Sequence, residues 1–100
     1  MVADAAEERV RFLVGLLEQA PSDYEAGRSG LARLVRDVES AVDSLAEVAD
    51  AAWVGELREL WGALEIVYAL MLDEDRASLA DDDRRDVAGA IAALRLLLKR

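Results

Sequence analysis

Apolar residues recur along this chain at the three- and four-residue spacing of helices, and the strict alternation of strands is nearly absent. Val10, Leu13, Val14 and Leu17 form the first stripe. Asp4 followed by Glu7 marks its start, with a carboxylate to cap free amides and a second acid in the first turn. Pro21 stops the pattern, so the first helix is predicted over residues 5–20. Ser22-Asp23-Tyr24-Glu25 reads as a capping box, and Gly27 and Gly30 bracket a turn. The stretch between is a connector with a short helical turn at 22–27.

The second stripe is the clearest: Leu31, Leu34, Val35, Val38, Ala41, Val42, Leu45 and Val48 share one face, while Arg33, Arg36, Asp37, Glu39, Asp43 and Glu47 lie off it. It predicts a helix over 31–50. Continued without a break, that stripe would turn Gly55, Glu56 and Glu59 inward, yet the apolar residues there are Trp53, Val54, Leu57, Leu60, Trp61 and Leu64. The phase therefore slips near Asp50 to Gly55, which places a turn or kink and starts a third helix over 54–73. Asp81-Asp82-Asp83 suits the first turn of a fourth, over 81–98, which uses Val87, Ala90, Ile91, Leu94, Leu97 and Leu98 and ends at Lys99-Arg100. Four main helices with short connectors predict an all-α fold, a small antiparallel bundle occupying residues 1–100 as a single domain.

Leu60 to Leu72 holds one charge, Glu65, among thirteen residues. A helix so apolar is either the central one or the carrier of a partner surface. Glu65 has Trp61, Gly62, Tyr68 and Ala69 one turn away, so its own helix offers no cation. In apolar surroundings its carboxyl would resist ionisation and could serve as a buried acid or a ligand contact, while a wet helix edge or an Arg from a neighbouring helix would account for it as structure. Trp53, Trp61 and Tyr68 have a double reading too, because such rings anchor interfaces and also fill cores with one polar tip satisfied. Core is favoured for Trp61, and the two readings balance for Trp53.

Composition narrows the classes. One hundred residues, 54% apolar and 33% charged, suffice for one packed core and exclude a disordered chain. The absence of cysteine removes disulfides and zinc-thiolate sites and fits a reducing cytosol. The N-terminal residues lack the pattern of a secretory signal, and no apolar run reaches the roughly 18–20 residues of a membrane span, so a cytoplasmic, membrane-free protein is expected.

Formal charge is -9, from 21 acids and 12 bases, spread over both halves of the chain. No clustered Lys and Arg offer a face to a phosphate backbone, which disfavours direct nucleic-acid binding. Without His or Cys there is no route to a serine or cysteine triad, a helical zinc site or a di-iron Glu-x-x-His motif. The glycines match no phosphate loop, and Asp73-Glu74-Asp75 and Asp81-Asp82-Asp83 match no EF-hand, so helix capping and solvation explain these acids. No catalytic, cofactor or metal residues are expected.

Three functions remain. The first is a non-enzymatic interaction module, an acidic bundle of inhibitor, immunity, antitoxin or adaptor type, binding a protein partner with Trp53, Trp61, Glu65 and Tyr68 as candidate contacts. That partner is a basic heterologous protein, a second copy in a homodimer, or both. The second is a homo-oligomeric structural or assembly subunit joined through the third and fourth helices. The third and weakest is an enzyme or small-ligand carrier centred on Glu65, for which several convergent polar groups would be needed.

Overall fold

A computed structural model of the chain describes residues 5–74 and 79–99. Four helices account for nearly all of them: α1 (Ala5–Glu25), α2 (Leu31–Leu45), α3 (Ala51–Asp73) and α4 (Asp81–Leu98). The expected roles of Asp4, Asp75 and Arg100 lie outside the described residues.

The helices pack in sequence order, α1 on α2, α2 on α3 and α3 on α4, with a lighter contact closing α1 on α4. Nested cross-links fix their directions. Trp61 of α3 reaches Val35 of α2, and Arg58 of α3 reaches Asp43 further along α2, so these two helices run antiparallel. Trp53 near the start of α3 reaches Leu97 near the end of α4, which sets that pair antiparallel as well. The apolar stripes meet in one core, where Leu17, Leu34, Leu45, Leu57, Leu64, Ile91 and Leu94 are fully buried. No polar or charged residue is buried among the described residues, so apolar packing dominates the interior, joined by the indole bonds of Trp53 and Trp61 to backbone carbonyls.

The first helix departs from expectation at its end. Rather than stopping at residue 20 with a separate turn at 22–27, α1 runs through Pro21 to Glu25. Proline removes only its own N–H, the donor that would have met the Leu17 carbonyl, and here its ring is buried against the core. Ser22 Oγ donates to the Glu18 carbonyl at 3.1 Å, supporting the same turn. Just past the helix end stands Gly27, whose φ of 78° is open to glycine at no steric cost.

The phase slip is a true break. α2 ends at Leu45, not residue 50, and two amides, those of Val48 and Ala49, turn back onto the Leu45 carbonyl at 3.0 and 2.8 Å. Asp50 then caps α3, its carboxylate accepting from the Trp53 amide at 3.0 Å, so α3 begins at Ala51 instead of residue 54. α4 spans the residues predicted for it, with Asp81, Asp82 and Asp83 in its first turn.

Candidate interaction surface

The residues singled out by type are mostly taken up by the fold. Trp53 is 8% exposed, and its indole Nε1–H donates to the Leu97 carbonyl at 3.0 Å. That carbonyl is among the last four of α4, which have no partner within their own helix, so the indole serves as a cap from a neighbouring element. Trp61 is half-buried against the core and donates to the Val35 carbonyl at 3.2 Å. Tyr68 is half-buried about two turns further along and lines an open pocket with Tyr24, Leu31 and Met71 where the α1–α2 connector meets α3.

Glu65 stands between Trp61 and Tyr68 on the edge of α3 that faces α2. It is half-buried and forms no hydrogen bond or ion pair among the described residues. Trp61, Glu65 and Tyr68 thus share one helix edge, while Trp53 lies apart, at the other end of α3.

The free apolar surface lies elsewhere. Ile66 and Leu70 are 58% and 46% exposed on the side of α3 opposite the buried Leu57 and Leu64. Beside them an open groove of about 440 Å³ runs between α3 and α4, lined by Leu60, Ala63, Ile66 and Val67 from one helix and Gly89 and Ala93 from the other. Leu96, also exposed, extends the α4 side of this face by one turn. Asp86 borders the groove, Glu56, Glu59 and Asp73 stand exposed on the same side of α3, and Asp82 and Arg85 pair with each other.

A second apolar feature occupies the outer side of the other hairpin. Phe12 and Leu16, one turn apart on α1, rise beside an open groove of about 560 Å³ between α1 and α2. Its borders carry both signs, Arg9 and Arg33 against Asp23 and Asp37.

Side-chain electrostatics tie the hairpins together at the rim. Arg95 of α4 grips Glu25 of α1 through two parallel bonds, 3.0 and 2.5 Å, and this guanidinium holds the Glu25 carboxyl below the usual carboxylate range. Arg28 and then Gln19 do the same for Asp23, at 2.8 and 2.9 Å. Burial pushes the Tyr24 phenol up. No group of three or more acids gathers to hold a metal ion among the described residues. Nor is any described helix long and apolar enough to cross a membrane.

Choosing residues by chemical type missed Ile66, Leu70, Phe12 and Leu16. Their signal was present as excess: Phe12 to Leu17 holds five apolar residues in six, and Leu60 to Leu72 is apolar all round, more than a single core-facing stripe of a helix can bury. No family model matches the chain, and neither curated proteins nor solved structures provide a match.

Proposed function

We propose that this protein is a non-enzymatic protein–protein interaction module whose outer α3/α4 face receives a protein partner. The observation that carries this is the exposure of Ile66 and Leu70 beside an apolar groove, on a helix otherwise anchored in the core. Such a face on a small soluble fold has a steady cost in water, which a partner removes; completing the burial of either side chain contributes roughly 1 kcal/mol or more. The rigid scaffold beneath it, α3 capped by Asp50 and locked through Trp53 and Trp61, presents the face already formed. The absence of cysteine suits work in a reducing cytosol.

Affinity capture from cell extract with the wild-type chain and with an Ile66→Ser/Leu70→Ser variant tests the reading. A partner retained by the first and lost by the second is expected. Identical sets of proteins on both would refute it.

The Phe12 and Leu16 face favours a second reading, a homodimer. Its borders carry both Arg and Asp, among them the exposed Arg33–Asp37 pair at 3.4 Å, which a two-fold axis can re-pair between copies. Light scattering checks this: a dimer that Phe12→Ser converts to monomer supports the homodimer, and a monomer at all concentrations excludes it.

A further inference from the structure

We infer that the occupant of the α3/α4 groove is a cationic amphipathic helix of a partner protein. This rests on the interaction reading above and specifies its partner class. The groove has the dimensions of a helix seat. Two antiparallel helices form its walls; its lining on α3 runs from Leu60 to Val67, about 10 Å at 1.5 Å per residue or roughly two helical turns, and the exposed Leu70 extends the apolar ridge by about one turn more. A docked helix therefore presents apolar residues at i, i+3 or i+4, and i+7 between the Ile66–Leu70 ridge of α3 and the low wall of α4. Gly89 and Ala93 make that wall low, and a Cβ added at Gly89 would meet nothing within 4 Å, so the space above it is open.

Charge decides between occupants. Asp86 of α4 borders the groove and Glu56, Glu59 and Asp73 stand exposed on the same side of α3, whereas Asp82 and Arg85 pair with each other and offset. A second copy would bring the same acids to the same rim, on a chain of formal charge -9. Like charges set face to face at an interface oppose association. Lys or Arg residues flanking an apolar stripe meet these acids favourably and are steered to them from a distance.

The test uses three synthetic peptides of about 18 residues, long enough to hold helix on binding. One has a Leu stripe flanked by Lys, one the same stripe flanked by Glu, and one the Lys composition with its Leu residues scattered around the helix. Calorimetric titration should give affinity for the first at least roughly tenfold above each of the others, and Ile66→Ser/Leu70→Ser should lower it by a similar factor. Phe12→Ser should leave it unchanged, and amide chemical shifts should move along α3 and α4. Equal binding of the Lys- and Glu-flanked peptides overturns the inference, as does equal binding of the scattered peptide or indifference to Ile66→Ser/Leu70→Ser. Should no peptide bind while the wild-type chain self-associates in a manner that the double variant abolishes, the occupant is a second copy, and the inference fails while the interaction module stands. Absence of peptide binding, self-association and captured partner together overturns both.

Discussion

At the scale of single residues, chemical type and position give different answers, and position decides. Trp53 and Trp61 have the side chains most often found at interface hot spots, yet each turns its ring to the core and spends its N–H on a backbone carbonyl. Trp53→Phe keeps most of the apolar bulk and removes the donor, leaving the Leu97 carbonyl at the end of α4 without it. Chemical denaturation should show a loss of about 1 kcal/mol, the cost of an orphaned, partly buried acceptor. Ile66 and Leu70 behave oppositely. As exposed side chains opposite the core they hold little of the fold, so Ile66→Ser/Leu70→Ser should stay within about 1 kcal/mol of wild type in the same assay, counting roughly half a kcal/mol per site. A larger loss would place them in the core instead. The core was legible in the sequence because burial follows helical spacing, but which aromatic is covered depends on neighbouring helices that spacing along one helix does not specify. Glu65, between Trp61 and Tyr68, was legible as an anomaly, and the fold puts it at a half-buried helix edge.

Among the elements, the break between α2 and α3 could be read from the chain and the continuity of α1 could not. A change of phase from Val48 to Trp53 requires the helix to stop, and Asp50 is placed to cap the next one. Pro21 gives the opposite local signal to its actual outcome, since the loss of one helical hydrogen bond is offset by burial of its ring, a tertiary effect. Gly55 lies one turn into α3, and a Cβ there meets nothing within 4 Å. Gly55→Ala should therefore stabilise the fold by about 0.5–1 kcal/mol through helix propensity alone, visible as a higher midpoint in thermal unfolding. The tie between α1 and α4 is pH-sensitive. Arg95 lowers the folded-state pKa of Glu25, so the stability this pair contributes is present above the carboxylate's unfolded pKa, about 4.3, and is lost as pH falls through the lower folded value. Both partners are well exposed, so the effect is modest and screened by salt. Glu25→Gln should flatten the acid limb of a stability-against-pH curve below about pH 5, and an unchanged limb would remove the pair from the account of α1–α4 closure.

For the whole molecule, the net charge acts more on encounter than on the fold. Excess acid works against self-association and would steer the proposed basic partner, with an effect that fades as the screening length falls to about 8 Å near physiological salt. Partner association through the α3/α4 face should therefore lose on-rate steeply between low and high salt, measured by stopped-flow or surface-based kinetics, while its off-rate, governed by the apolar contacts of Ile66 and Leu70, changes little. All-helical architecture and four segments followed from periodicity alone. Where the exposed apolar face lies did not, because it depends on which apolar residues remain once each helix has buried one face. Photo-crosslinking within cell extract tests the central claim most directly, with a photoreactive side chain replacing Ile66 in one protein and Phe12 in another. Covalent capture of a heterologous protein from position 66 and not from position 12 is expected; capture from position 12 alone, or from neither, would contradict it.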